Sequence, residues 1–223
     1  MSEIEILPTV VPQTSADVAA LIERCGSFAK TFHIDAADGV LAPNKTWVPE
    51  QGYKFPQQET TFYEAHLMVK SPEVAGLDFV VAGVKRIIAH AEAFDSFEEA
   101  TKSFASWRVK GAKEIGIAAF IETPLEALEM YIPLCDSVTL MTIARVGTQG
   151  IPFDERGYGR VADLHARYPD LVIEVDGGVG AAQIATLARA GARRFSIGSA
   201  IAKALDPAAA YATLKSLAES AIQ

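Results

Sequence analysis

The sequence predicts an α/β protein folded as a closed (β/α)8 TIM barrel, and three observations carry that reading. Short apolar runs of strand length recur along the chain, amphipathic helical stretches separate them, and glycine turns follow the last two runs. The first run, Ile4 to Val11, is followed by helical periodicity over Ser15 to Cys25. Thr31 to Asp35 is the second. The segment after it, Gly39 to Glu59, holds Pro43, Pro49 and Pro56 among aromatics and lacks helical periodicity, so a shortened or missing second helix is expected. Thr61 to Met68 then leads into Ser71 to Ala82, Lys85 to His90 into Ser96 to Lys110, and Glu114 to Phe120 into Pro124 to Tyr131. Ser137 to Thr142 precedes Asp154 to Tyr168, and Leu171 to Asp176 precedes Ala181 to Ala190. Arg194 to Ile197 is the eighth run, and Pro207 to Ala221 closes the chain. Several helices open with Ser, Asp or Pro, residues that start helices. Apolar strands each followed by a helix form a parallel sheet covered by helices, either closed or open and doubly wound. Eight repeats favour closure. No linker, charge block or low-complexity segment divides residues 1–223, which read as one domain.

Composition narrows the function classes. Half of the 223 residues are apolar, and 28 acidic against 20 basic side chains give a formal net charge of −8. That apolar content argues against disorder. The acidic balance argues against nucleic-acid and anionic-membrane partners, which need basic surfaces. It leaves room for an anionic small substrate, because a few backbone N–H groups hold a phosphate whatever the net charge. The chain has no apolar stretch of about 18 residues, and Met1 to Ile22 lacks the pattern of a signal peptide. A soluble, cytoplasmic protein is expected. Cys25 and Cys135 form no CxxC pair and read as reduced, buried thiols.

In a barrel, reactive groups sit at the C-terminal ends of the strands. His33 and Asp35, two residues apart, share one face of the second strand. His66 ends the third strand and Asp176 the seventh. Two imidazoles and two carboxylates on strand ends can converge on one divalent cation, and this mixed set suits Zn, Fe, Mn or Co better than Ca or Mg. His90 also ends a strand and is expected near the mouth, whereas His165 reads as a surface residue on a helix. Gly177 and Gly178 after the seventh strand, and Gly198 and Ser199 after the eighth, open helices where backbone N–H groups can hold a phosphate. Gly178-Val179-Gly180 mimics the start of a dinucleotide fingerprint, but Gln183 stands where the third glycine belongs and no acid ends the following strand. No P-loop, HExxH, nucleophile elbow or zinc-finger cysteines occur, and no lysine ends a strand as a Schiff-base enzyme would need.

Phe32-His33-Ile34-Asp35-Ala36-Ala37-Asp38-Gly39, Pro43-Asn44, His66-Leu67-Met68-Val69, Met141-Thr142, Val175-Asp176-Gly177-Gly178-Val179 and Gly198-Ser199-Ala200-Ile201 resemble the ribulose-phosphate 3-epimerase family. The resemblance covers most of the chain and implies a ribulose-phosphate-binding barrel. It implies one divalent metal on His33, Asp35, His66 and Asp176, with Asp35 and Asp176 also the acid and base. It further places Thr9, His66, Met68 and Met141 at the substrate. Three departures stand out. Thr9-Val10-Val11-Pro12 replaces the family's serine-containing run, so Thr9 takes the place of its first hydroxyl. Ala37 stands where the family has Met. Arg145-Val146-Gly147-Thr148-Gln149-Gly150 replaces a glycine-rich phosphate loop, leaving Arg145 or the Gly147 and Thr148 N–H groups to compensate.

Epimerisation beside a ketone needs two acid/base groups flanking one carbon, and positive charge on the oxygens of the enediolate between them. Asp35, Asp176 and the cation meet that need. The expected function is therefore a metal-dependent ketose-phosphate 3-epimerase acting on D-ribulose 5-phosphate and D-xylulose 5-phosphate. The same chemistry on a six-carbon ketose phosphate, or a barrel that binds phosphosugars without turnover, are the alternatives. A homo-oligomer is the default for such an enzyme.

Overall fold

The computed structural model describes residues 3–148 and 150–223. Eight parallel strands close in chain order into a barrel: β1 (Glu5–Val10), β2 (Thr31–Ala37), β3 (Phe62–Met68), β4 (Arg86–His90), β5 (Glu114–Ala119), β6 (Ser137–Met141), β7 (Val172–Asp176) and β8 (Arg194–Ile197). Closure is direct, with Glu5 of β1 in register with Arg194 of β8. Around it lie α1 (Ser15–Cys25), α2 (Glu73–Ala82), α3 (Phe97–Lys110), α4 (Arg156–Arg167), α5 (Ala181–Ala190), the short α6 (Ser199–Ala202) and α7 (Pro207–Ser220). Side chains cap the orphan N–H groups at several helix starts. Ser96 accepts from the Glu99 amide at 3.1 Å and Asp206 from the Ala209 amide at 2.9 Å, with Pro207 locking the first turn of α7. Among the described residues, no helix is long and apolar enough to cross a membrane.

No helix forms between β2 and β3. An aromatic strap takes its place: Trp47 meets Tyr53 at 4.8 Å, Tyr53 meets Phe55 at 5.3 Å, and buried Phe55 packs on Tyr63 of β3 at 4.8 Å between ring centroids. The Phe55 amide donates to Ala82 O and the Trp47 amide to Pro12 O, so the strap is stitched to the helical layer at one end and to the β1 end at the other. Residues Pro124 to Tyr131, expected as a helix, instead form a 3-10 turn at Leu125–Leu128, followed by another at Ile132–Leu134. Pro133 has no N–H to continue an α-helical ladder, and the observed bonds run to the third residue back, as in Ala127 N to Pro124 O. His165 is not a free surface group. It is half-buried, and its ring lies over Gly191 so closely that a Cβ there would meet it at 2.3 Å. Cys25 is buried as expected, while Cys135 is only half-buried; both are free thiols.

Alternation along each strand sends one set of side chains outward into the apolar layer under the helices and the other into the barrel. The outward set of β2 and β3 is apolar (Phe32, Ile34, Ala36, Tyr63, Ala65, Leu67), and all of it is buried. The inward set carries the titratable groups, among them His33, Asp35, Glu64 and His66. Near the N-terminal end, Arg86 binds Glu64 at 2.5 Å and Glu114 at 2.9 Å, and Arg194 binds Glu5 at 2.7 Å and Glu114 at 2.9 Å. Arg86 and Glu64 are essentially without solvent.

Two substitutions test this packing. A Cβ at Gly76 of α2 would fall 2.3 Å from the Trp107 indole, whose N–H donates to Glu73 O at 2.9 Å. Alanine gains about 1 kcal/mol of helix propensity but overpacks by about 1–3 kcal/mol, so Gly76→Ala lowers the urea midpoint. Equal or greater stability would show that the indole yields. Arg86→Met strands the Glu64 charge in the barrel and costs about 3–5 kcal/mol by denaturant unfolding, and Glu64→Gln in the same chain restores most of it.

Candidate active site

At the C-terminal mouth a cavity of about 280 Å3 opens among the strand ends. Its floor includes Asp35 and Asp176, its walls Thr9, Met68 and Met141, and its far end Gly147, Thr148, Gly177, Gly178, Gly198 and Ser199. His33 and His66 lie directly beneath, fully buried. Apart from Arg145, the candidate site residues therefore meet in one place, drawn from β1, β2, β3, β6 and β7 and the loops after β6, β7 and β8.

The four candidate ligands form a tight set. His33 Nε2 lies 3.1 Å from Asp35 Oδ1 and 4.0 Å from Asp176 Oδ2, while His66 Nδ1 lies 3.3 Å and 3.2 Å from the same two oxygens. One donor atom from each residue falls within 4.8 Å of all the others. Donors at about 2.0–2.1 Å around a tetrahedral ion stand roughly 3.3 Å apart, close to these separations. His66 Nδ1 is moreover buried without a hydrogen-bond partner, although two carboxylates face it. Acceptor atoms crowded in this way need a cation among them, either a proton or a metal ion, and the residues fit a divalent metal.

Without metal, protons take up that duty. Burial by itself would lower the pKa of His66, but Asp176 and Asp35 outweigh it and push it up to about 9. Burial would raise Asp35, yet His33 and His66 overcome this and bring it to about 2. His33 likewise sits well above its ordinary value, since Asp35, Glu174 and Glu64 together exceed the cost of burying its charge.

The sequence reading missed the layer below. Glu64 accepts from His33 Nδ1, with Ser196 Oγ 3.0 Å and Glu174 3.5 Å from the same nitrogen. Ser196 donates to Glu174 at 2.8 Å. A metal-ligating histidine commonly gives its second N–H to a carboxylate, which fixes its orientation, and Glu64 stands in that place for His33. The signal was present: Glu64 and Glu174 stand two residues before His66 and Asp176, hence on the same inward face one step deeper. His90 is not open to the mouth as expected. It is fully buried, its Nε2 lies 2.8 Å from His66 Nε2, and the Phe120 ring covers it at 4.5 Å.

Over the carboxylates, Ala37, Ala42, Met68, Met141, Ile143 and Val146 form an apolar roof. At the opposite end, Gly177 (φ 113°) and Gly178 (φ 67°) both adopt the left-handed region. A Cβ on Gly178 would strike the Phe153 backbone at 2.5 Å, so both conformation and space demand glycine there. Thr142 Oγ1 donates to Gly177 O at 2.6 Å and fastens this turn to the end of β6. In the replaced loop, Gly147 and Thr148 face the cavity, Arg145 is exposed and lines a separate one beside Leu41 and Pro43, and Gln149 lies outside the described residues.

The family model described as "Ribulose-phosphate 3 epimerase family" matches residues 5–202. A "Ribulose-phosphate 3-epimerase" of Eremothecium gossypii is 30% identical over 218 residues, covering 90% of this chain and 89% of that protein. One of Candida glabrata is 31% identical, covering 91% and 87% respectively. The rice "Ribulose-phosphate 3-epimerase, cytoplasmic isoform" is 28% identical, covering 96% and 94%. Among solved structures, KGPDC from Streptococcus mutans superposes with a TM-score of 0.71 at 14% identity, covering 100% of this chain and 100% of that one. 3-Hexulose-6-phosphate synthase from Salmonella typhimurium gives 0.69 at 12% identity, covering 98% and 100%. These structural likenesses show the barrel alone. The match from Glu5 to Ala202, with relatives at 30% and 31% identity over nine-tenths of the chain, settles the family: the chain belongs to the ribulose-phosphate 3 epimerase family of isomerases.

Proposed function

We propose that the protein is a metal-dependent ketose-phosphate 3-epimerase that interconverts D-ribulose 5-phosphate and D-xylulose 5-phosphate in the cytoplasm. The observation that carries this reading is the convergence of Asp35 and Asp176 with two imidazole nitrogens at the floor of a cavity whose far end is lined by two glycine turns. In this reading the chain is one barrel domain, its phosphorylated ketose lies along the cavity, and subunits associate as a homo-oligomer.

His33, Asp35, His66 and Asp176 would hold one divalent ion of Zn, Fe, Mn or Co, which supplies positive charge to the oxygens of an enediolate. Asp35 and Asp176 come from β2 and β7, separated around the barrel by β1 and β8, so their carboxylates reach the substrate from different sides. One takes the proton from C3 and the other returns a proton to the opposite face. Glu64 keeps His33 in register by accepting its Nδ1–H. The apolar roof excludes water, which strengthens the electrostatic terms beneath it and protects the intermediate. Backbone N–H groups at Gly177, Gly178, Gly198 and Ser199, with Gly147 and Thr148 across the cavity, receive the phosphate. Thr9, Met68 and Met141 shape the wall against the sugar. His66, expected at the substrate, is fully buried beneath the cavity and outside its lining, so its part is to hold the ion rather than to touch the sugar.

Transfer of the substrate α-proton to solvent in deuterated water, followed over several ketose phosphates, is the direct test. Asp35→Asn and Asp176→Asn each reduce it ~10²–10⁴-fold while the barrel stays folded. Retained exchange in both variants would remove the two-base assignment, and preference for a six-carbon ketose phosphate would change the substrate. The metal reading has its own pH signature. His66 has a folded pKa of about 9 against a reference of 6.5. Its contribution to the stability of chelated protein is therefore complete below pH 6.5 and lost as pH rises to about 9. The thermal midpoint of metal-free protein should fall across that window, and saturating Zn2+ should flatten the slope by displacing the proton. A flat profile without metal would show that His66 is not held by the two carboxylates.

A further inference from the structure

We propose that His90 and Glu92 are positioning residues that fix the tautomer of His66, so that its Nδ1 lone pair faces the cation site. This inference rests on the metal reading above. His66 Nε2 and His90 Nε2 are 2.8 Å apart. The two rings are inclined by only 15° with centroids 4.9 Å apart. Parallel rings whose nitrogens approach this closely cannot be stacked face to face, because the contact is shorter than the thickness of a ring. They lie nearly in one plane, tip to tip, as an N–H···N bond requires. Such a bond carries one proton, and either ring could own it.

Glu92 decides which. Its Oε2 lies 3.3 Å from His90 Nδ1. Its Oε1 accepts from the Phe120 amide at 3.0 Å and from the Thr123 hydroxyl. A carboxylate only accepts, so His90 Nδ1 is the nitrogen that carries a hydrogen. The neutral His90 ring then presents a bare Nε2, and His66 must donate to it from its own Nε2. That leaves His66 Nδ1 as a lone pair between Asp35 and Asp176, the form that a metal ion needs. With the opposite tautomer, a hydrogen on Nδ1 would occupy the space of the ion. Both rings are fully buried, so bulk solvent does not reach these nitrogens. Phe120 and Thr123, which follow β5, thus act on a ligand of β3 through Glu92.

Glu92→Gln is the informative variant. The glutamine can still accept from Phe120 and Thr123, but its amide can also donate to His90 Nδ1, so the direction of the chain is no longer imposed. Binding of Co2+, followed by its visible absorption, should weaken about 10- to 100-fold in Glu92→Gln, and Glu92→Asp should recover part of the loss. Glu98→Gln, an exposed acid paired with Lys102, should bind as the parent does. A second measurement needs no metal: 15N spectra of histidine-labelled, chelated protein, recorded as a pH series up to the point where the His66 ring is seen to be neutral. The parent should show His66 protonated at Nε2, and Glu92→Gln a mixture or the reverse. Parent-like Co2+ affinity with an unchanged His66 tautomer in Glu92→Gln would overturn the proposal, as would a parent protein with His66 protonated at Nδ1. If the parent takes up no Co2+ yet carries the proton at Nε2, the metal reading falls and the tautomer assignment stands.

Discussion

Charge inside the barrel is the constraint from which the rest follows. Alternation along the strands sends Glu5, Asp35, Glu64, Glu114, Glu174 and Asp176 inward, with Arg86 and Arg194 set among them. Buried acids must be paired, protonated or bound to a cation. The interior meets this requirement differently at different depths. Near the N-terminal end, the two arginines neutralise Glu5, Glu64 and Glu114. In the middle, burial and the Glu64 charge raise the pKa of Glu174, which favours its protonated form. At the mouth, Asp35 and Asp176 remain with only imidazoles for company. Positive charge is therefore wanted where the substrate cavity begins, and a site for a cation emerges from the electrostatics of the whole interior.

This layering also explains how much could be read from the sequence. The strand positions were legible because both faces of a parallel barrel strand are buried and the apolar outward residues persist in every repeat. The candidate ligands were legible because each ends its strand. Glu64, Glu174 and Arg86 were not, since a charged residue within an apolar run is easily taken as an exception to the pattern. Counting back two residues from His66 and Asp176 would have placed both acids on the inward face. His90 was placed at the right height but in the wrong environment: sequence shows neither the Phe120 ring over it nor the Glu92 carboxylate beside it. The segment from Pro124 failed for a local reason, as its amphipathic spacing looked helical while Pro133 denied the next turn its donor.

The two ends of the cavity differ in kind. The floor is built from side chains locked by rigid strands and further buried acids, which suits chemistry that requires fixed geometry. The far end is lined by the glycine turns at Gly147, Gly177, Gly178 and Gly198, where backbone rather than side chains shapes the wall and neighbouring residues tolerate change.

The aromatic strap over β2 and β3 has a thermodynamic consequence. These strands carry His33, Asp35 and His66, three of the four candidate ligands, and between them the outer cover is the strap of Trp47, Tyr53 and Phe55, which packs on Tyr63 of β3 and Phe79 of α2. A helix brings its own backbone hydrogen bonds, whereas packed rings hold mainly through the removal of apolar surface from water, a driving force that fades on cooling. The cohesion of this wall, beside three of the four candidate ligands, therefore leans on apolar burial and weakens on cooling.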